Sequence, residues 1–162
     1  MNRGARAQAG LTLVEMMVVV ALIGLVVAVS FPSVSSGVDT VRLNAATDSV
    51  VSFFNSGLNR AERRQQLMEV IVSIEHNNLE MRSLDPSFTR SLAMPDGVRI
   101  LRIFPIIPGF DEKARSIVLY PGGAVPRFGL ELVNRRGVHR IVRVDPTTGV
   151  PIIERPSEES GT

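Results

Sequence analysis

A single carboxylate lies inside a long apolar stretch near the start of this chain. In residues 7–38, Glu15 is the only ionisable side chain. A carboxylate at the centre of a membrane-spanning helix costs about 2.5 to 3.5 kcal/mol, so such residues usually pair with another group and serve a function. Glu15 lies near one end of the stretch, where the cost is lower, and the alternative is that its side chain simply extends to the membrane surface. The chemistry open to Glu15 is therefore pairing with a cation.

The apolar stretch is long enough to form a membrane-spanning helix. Residues 11–31 are almost entirely apolar, and a spanning helix needs about 20 predominantly apolar residues. Arg3 and Arg6 precede the stretch, and an excess of basic residues marks the cytoplasmic side of a membrane. The sequence therefore predicts a transmembrane helix over residues 11–31, with a cytoplasmic N-terminus and the bulk of the chain in the periplasm.

Small residues stand before the apolar stretch rather than after it. A secretory signal peptide has its small-residue cleavage site after the apolar core, whereas Ala9 and Gly10 come directly before Leu11. Cleavage after Gly10 would discard a leader of residues 1–10 and keep the whole hydrophobic helix. The mature chain would then begin with the α-amine of Leu11, a cation at the head of an apolar helix.

These residues resemble the class III (prepilin) signal of type IV pilins and type II secretion pseudopilins. That signal has a basic leader, a glycine, a hydrophobic first mature residue, Thr-Leu next, and a glutamate as the fifth mature residue. The matching residues are Gly10, Leu11, Thr12, Leu13 and Glu15, and Pro32 falls where such helices often carry proline. Leu11 departs conservatively from the usual Phe. The resemblance implies that a prepilin peptidase cleaves after Gly10 and N-methylates Leu11.

The retained helix is expected to become the packing core of a filament. There the α-amine of Leu11 in one subunit would pair with Glu15 of its neighbour, because the pair is attractive in low dielectric whereas either charge alone is costly. Gly24 and Pro32 are expected points of flexibility, since glycine weakens a helix interior and proline removes a backbone hydrogen bond. We expect a kink near Pro32, and the resemblance implies that the segment between Gly24 and Pro32 can unwind in a filament.

The helical pattern continues as an amphipathic second half over residues 32–68. Apolar residues recur there at spacings of three, four and occasionally five, with polar residues on the other side. The expected buried stripe is Val34, Val38, Val41, Ala45, Val50, Phe54, Leu58 and Ala61. The basic cluster in residues 60–66 is expected to be a solvated helix end, where the helix dipole favours cations. A partner site in this cluster is the alternative.

Beyond residue 68 the apolar period changes to two, which is typical of half-buried strands. Strands are expected at residues 68–75, 79–84, 98–104, 116–120, 128–133, 138–144 and 150–154. Pro151 confines the last strand to a sheet edge. Residues 85–97 are expected to be a variable loop and residues 105–114 a surface excursion. The predicted fold class is α+β, a long N-terminal helix packed on a small antiparallel β-sheet domain over residues 69–155, with a polar tail over residues 156–162.

Composition limits the classes of function. The chain has 162 residues, a formal net charge of +2 and no Cys, which leaves room for one modest domain beyond the helix and excludes disulfides and thiolate metal sites. His76 and His139 lack a metal-ligand spacing, and the sequence has no phosphate-binding loop or nucleophile elbow. We therefore expect no enzyme activity, no metal and no cofactor.

The C-terminal strands narrow the resemblance to the H-type minor pseudopilins of type II secretion. It rests on LYPGG at residues 119–123, LEL at residues 130–132 and DPTTGV at residues 145–150. The resemblance implies a structural subunit near the tip of a periplasmic pseudopilus that takes part in protein export across the outer membrane. The implied partners are the prepilin peptidase/N-methyltransferase, the major pseudopilin, other minor pseudopilins and the inner membrane.

A minor pilin of a type IV pilus, involved in pilus assembly or DNA uptake, is the alternative function. Arg135, Arg136, Arg140 and Arg143 lie close together in the sequence and could neutralise the phosphates of a nucleic acid. The ordinary interpretation is that these arginines cover a solvent-exposed face. Nucleic acid is a partner in this alternative alone.

Overall fold

The computed structural model of the chain describes residues 12–83, 88–109, 113–122 and 127–154, and for residues 29–36 it describes the backbone. The chain forms two compact units, Met1–Gly37 and Val38–Thr162. Helix α1 spans Leu13–Arg64 and provides the helix of the first unit and the first element of the second. The predicted leader, residues 1–10, and the predicted polar tail, residues 156–162, lie outside the described residues.

Helix α1 ends earlier than the apolar pattern indicated. The expected second half ran over residues 32–68, but α1 stops at Arg64 and the first strand begins at Met68. Gln65 has a positive φ of 51°, and the Gln66 N–H donates to a carbonyl oxygen of the preceding turn at 3.2 Å. A left-handed residue followed by a backward hydrogen bond is a common way for a helix to end. The predicted boundary at residue 68 was therefore wrong by one helical turn.

The buried face of α1 in the second unit differs in part from the expected stripe. Val50, Phe54 and Ala61 are buried as predicted, and Leu58 is half-buried. Val38 and Val41 are 42% and 67% exposed and Ala45 is also exposed, so the prediction was wrong for the first turns. The side chain of Val34 lies outside the described part of the chain. The buried positions that the prediction missed are Leu43, Ala46, Thr47 and Phe53. Apolar residues occur on several faces of this part of the helix, and the strands that pack on it decide which face is covered.

The described residues after α1 form eight strands in two antiparallel sheets. The strands are β1 Met68–Ser73, β2 Asn78–Ser83, β3 Thr89–Ala93, β4 Val98–Phe104, β5 Ala114–Leu119, β6 Phe128–Asn134, β7 His139–Val144 and β8 Pro151–Glu154. Sheet A has the order β3-β2-β1-β5, and sheet B has the order β4-β6-β7-β8. The chain is therefore α+β, with an N-terminal helix packed on antiparallel sheet structure, which confirms the predicted fold class.

Most of the expected strands are confirmed, and one strand was missed. β3 lies inside residues 85–97, which were expected to be a loop, and its side chains are mostly exposed, so they show no apolar alternation. β8 begins at Pro151 and forms an edge of sheet B, as predicted. The division into two sheets was not predicted, because it depends on the long-range pairing of β1 with β5.

The core of the second unit lies between α1 and the strands. The rings of Phe54 and Phe128 pack with their centroids 5.3 Å apart. One turn after Phe54, a Cβ on Gly57 would lie 2.6 Å from Met81 Cε and 3.0 Å from Leu119 Cδ1. The helix therefore approaches β2 and β5 so closely at Gly57 that a larger residue would have to displace buried side chains.

The side chain of Asn77, in the turn between β1 and β2, bonds to a strand of the other sheet. Its Nδ2 donates to the Val98 carbonyl oxygen, and its Oδ1 accepts from the Ile100 N–H, both at 2.9 Å. Val98 and Ile100 belong to β4 of sheet B. Asn77 also has a positive φ of 53°, a conformation that Asn tolerates better than most residues. The residue types at this position predicted a turn. The structure shows that the Asn77 side chain also connects the two sheets.

Replacing Asn77 by Ala is expected to lower the free energy of unfolding by about 2 to 4 kcal/mol, because two hydrogen bonds of about 1 kcal/mol each are lost and Ala is strained at positive φ. Asn77→Gly should lose the two hydrogen bonds without the strain. Its free energy of unfolding should therefore lie between those of the wild type and Asn77→Ala. Chemical denaturation followed by circular dichroism measures the difference, with Asn78→Ala as the neighbouring control. An Asn77→Ala variant as stable as the wild type would contradict the bridging role.

Candidate assembly site

Thr12 caps the first turn of α1. Its hydroxyl oxygen accepts a hydrogen bond from the Glu15 N–H at 3.3 Å, and its carbonyl oxygen accepts one from the Met16 N–H at 3.2 Å. Glu15 is the third residue of the helix, so the two residues have the spacing of a Thr-x-x-Glu capping box. The helix dipole also favours a carboxylate in the first turn. This cap was predictable, because the Thr-x-x-Glu spacing is visible in the sequence.

The cap holds Glu15 at the start of an entirely apolar surface. Between residues 13 and 28, the large apolar side chains of α1 are exposed by between 43%, at Val19, and 76%, at Leu13. They are Leu13, Val14, Met16, Met17, Val18, Val19, Val20, Leu22, Ile23, Leu25, Val26 and Val27. A helix that is apolar all round is normally buried in a large protein or a membrane, and a large exposed apolar patch marks an interaction surface. The apolar face of this segment is therefore a candidate interaction surface.

Within the part of the chain that the structure describes, no helix is long and apolar enough to cross a membrane.

Parts of the predicted N-terminal site fall outside the described residues. Gly10 and Leu11, the predicted cleavage and methylation positions, belong to the undescribed part. The helical backbone continues through Gly24 and Pro32, as expected for one continuous helix, and the kink near Pro32 stays a prediction. A Cβ on Gly24 would meet no atom of another element within 4 Å, so no packing contact requires glycine there. The flexibility of Gly24 and Pro32 stays a prediction.

The four arginines considered for nucleic-acid binding do not form one patch. They are Arg135, Arg136, Arg140 and Arg143. The first two lie in the turn between β6 and β7, and the last two lie on β7. Because side chains alternate along a strand, Arg140 and Arg143 project from opposite faces of sheet B. Arg136 Nε lies 3.7 Å from Asp39 Oδ2, and Arg143 Nε lies 3.5 Å from Glu154 Oε2. A nucleic-acid contact through these residues stays a prediction, and the four arginines do not share a common surface that would support it.

Sequence reasoning missed the buried carboxylate of Glu131 on β6. Its side chain is 8% exposed, with Oε1 2.7 Å from His139 Nδ1 and Oε2 3.3 Å from Arg102 Nε. Arg102 lies on β4 and His139 on β7, the two neighbours of β6. A buried carboxylate must be paired, so this group joins three strands and serves the fold. A lone Glu in a strand carries no sequence signal for such pairing.

No metal centre emerges from the described residues. Within residues 12–83, 88–109, 113–122 and 127–154, no three His, Cys, Asp or Glu side chains are grouped in a way that could hold a metal ion. His139 is engaged with Glu131 at 2.7 Å, and His76 Nδ1 lies 3.0 Å from Ser73 Oγ. In the first unit, the exposed features are the apolar helix surface and the carboxylate at its start.

Comparisons with known proteins agree with these features. Residues 5–31 match the family model described as the prokaryotic N-terminal methylation motif. No significant match was found among curated protein sequences. The fold is similar to the solved structure of the minor pseudopilin EpsH from the Type 2 Secretion System of Vibrio cholerae, with a TM-score of 0.56 at 13% sequence identity. The match covers 72% of this chain and 99% of the EpsH chain.

The two matches concern different properties of the molecule. The motif match covers the first part of α1, including Glu15, and the structural match concerns the fold. The chain thus combines an N-terminal methylation motif with a pilin-like α+β fold, as its resemblance to type IV pilin-like proteins and minor pseudopilins predicts.

Proposed function

We propose that this chain is a minor pseudopilin, a structural subunit of a type II secretion pseudopilus that takes part in protein export across the outer membrane. The observation that carries the proposal is the helix of the first unit, which is apolar on all sides and carries a capped carboxylate in its first turn. Such a surface is suited first to lipid and then to the helices of neighbouring subunits. The N-terminal motif is shared by pilins and pseudopilins, and the similarity to EpsH is what favours the secretion filament over a type IV pilus.

In this proposal, residues 11–31 hold the precursor in the inner membrane, with the N-terminus in the cytoplasm and the second unit in the periplasm. The prepilin peptidase removes residues 1–10 and methylates Leu11. The α-amine of Leu11 and the carboxylate of Glu15 then belong to the same end of the helix, and they can pair between adjacent subunits. Each charge left alone in an apolar environment would be costly, so pairing sets the axial position of one subunit against the next.

The same proposal names the partners of the mature chain. They are the major pseudopilin and other minor pseudopilins, whose helices would surround the exposed apolar side chains between Leu13 and Val27. Gly24 and Pro32 would let the helix adjust to these neighbours. Residues 38–154 contain the buried core of the second unit and would form the periplasmic surface of the subunit.

Replacing Gly10 by Leu is expected to block processing, because a bulky side chain beside the scissile bond displaces it in the peptidase, and a misplacement of about 1 Å can cost about 100-fold in rate. Mass spectrometry of the chain co-expressed with a prepilin peptidase measures the outcome. The wild type should begin at methylated Leu11, and the variant should retain residues 1–10. Gly4→Leu, which lies in the leader away from the cleavage point, should be processed normally. A mature N-terminus at Leu11 in the Gly10→Leu variant would contradict the assignment of the cleavage site.

A further inference from the structure

Three arginines line one recess at the C-terminal end of α1. The recess has a volume of about 370 Å³ and is lined by Ser56, Asn59, Arg60, Arg63 and Arg64. Residues three and four apart lie on the same face of a helix, so the three guanidinium groups are neighbours. We call Arg60, Arg63 and Arg64 the arginine cluster. The cluster belongs to the second unit, so binding there does not depend on the filament role proposed above.

The arginine cluster has no counter-charge among the described residues. None of the ion pairs that these residues form includes a member of the cluster. Glu62 lies within the same turn, but its Oε2 accepts a hydrogen bond from the Gly122 N–H at 2.8 Å and so is directed to another part of the surface. The negative end of the helix dipole offsets the positive charge in part. The recess therefore has a positive field that an external anion can neutralise.

Part of the cluster is held in position before any ligand binds. The guanidinium carbon of Arg60 lies over the Phe88 ring, 3.7 Å from its centroid, a cation–π contact that restricts the position of the group. Beside the recess, Arg90 Nη1 donates to Ser56 Oγ at 3.2 Å and adds a fourth guanidinium to this side of the molecule. Ordered guanidinium groups lose less conformational entropy on binding than free ones. The site is thus partly preorganised for an anion.

We infer that the arginine cluster binds an acidic segment of another protein, through at least two carboxylates. Guanidinium groups form bidentate hydrogen bonds with carboxylates, and a small recess with three of them suits closely spaced carboxylate side chains. A nucleic acid would need a basic track that follows successive phosphates. A membrane surface would need exposed apolar side chains beside the basic ones, whereas Ser56 and Asn59 line this recess. The geometry therefore favours a protein partner.

The test uses the full-length chain in a neutral detergent and measures the fluorescence anisotropy of labelled hexaglutamate. We expect the Kd for hexaglutamate to rise at least about tenfold in the double variant Arg63→Ala/Arg64→Ala. The matched control Arg42→Ala/Arg99→Ala removes the same charge from exposed positions elsewhere and should leave the Kd unchanged. Labelled hexaglutamine should not bind.

Several outcomes would overturn the inference. One is an unchanged Kd in Arg63→Ala/Arg64→Ala, and another is an equal rise in the control variant, which would show attraction to overall charge. A third is tighter binding of a short oligothymidylate, or of vesicles containing phosphatidylglycerol, that is lost in Arg63→Ala/Arg64→Ala. The last result would assign the cluster to a nucleic acid or a lipid surface instead of a protein.

Discussion

Replacing Glu15 by Val is expected to leave membrane insertion intact and to reduce incorporation beside the major subunit by at least about tenfold. The proposed pair joins the Glu15 carboxylate to the α-amine of a neighbouring Leu11 in an apolar environment. Removing one member of a buried ion pair costs about 3 to 5 kcal/mol, because the other charge stays buried alone. Co-purification of the tagged chain with the major subunit, normalised to the amount in the membrane fraction, measures the effect.

Two control variants at the Thr12 cap distinguish the effect of the Glu15 charge from the effect of helix capping. Glu15→Gln removes the charge but keeps a residue type that suits the third position of a capping box, so it should assemble as poorly as Glu15→Val. Thr12→Ala removes the side-chain hydrogen bond of 3.3 Å to the Glu15 N–H and keeps the charge, so it should assemble nearly normally. Full co-purification of Glu15→Gln would refute charge pairing. A loss in Thr12→Ala as large as that in Glu15→Gln would attribute the role of Glu15 to the cap.

Replacing Gly57 by Leu is expected to destabilise the second unit by about 3 kcal/mol or more, at the upper end of the cost of overfilling a packed core. The first added carbon would already lie 2.6 Å from Met81 Cε and 3.0 Å from Leu119 Cδ1. Met81 and Leu119 are both fully buried, so both side chains would have to move within a packed core to admit a leucine. The expected result is a clear fall in Tm, measured by circular dichroism on the full-length chain.

A matched glycine and a double variant make the Gly57 prediction specific. Gly37 lies on the same helix, and a Cβ there would meet no atom of another element within 4 Å, so Gly37→Leu should leave the Tm unchanged or raise it through better helix propensity. Combining Gly57→Leu with Met81→Ala should recover part of the lost stability, since the two side chains compete for one space. A Tm of Gly57→Leu equal to that of the wild type would contradict the close packing of α1 on β2 and β5.

Local chemistry was enough to predict several parts of this protein. The strands β1 and β4 were predicted because side chains alternate along any strand with a period of two, and the apolar residues follow that period. The strand β2 was predicted as the second arm of a hairpin, because the asparagines before it favour a turn. β3 was missed because its side chains are mostly exposed and thus show no contrast between its faces. The length of α1 was overestimated because its end depends on the φ of Gln65 and a backbone hydrogen bond of Gln66, which leave no apolar pattern.

The N-terminal signal depends on sequence more than on folding. The proposed peptidase site at Gly10 and Leu11 is a short run of adjacent residues, and Glu15 is notable because no other charge lies near it in the sequence. Residues 5–31 match the N-terminal methylation motif. The position of Glu15 in the first turn also follows from local spacing, since Thr12 can cap a helix that begins at Leu13 without help from any distant residue.

By itself, then, the sequence determined the N-terminal motif, the apolar helix and the period of most strands, because each depends on neighbours within a few residues. The tertiary structure alone decided the buried face of α1, the division of the strands into two sheets, the glycine contact at Gly57 and the bridge from Asn77 to β4. It also decided that Glu131 is paired and that, among the described residues, no acidic side chain forms an ion pair with the arginine cluster. These features depend on contacts between residues far apart in the chain, and a local pattern of residue types does not specify which distant groups will meet.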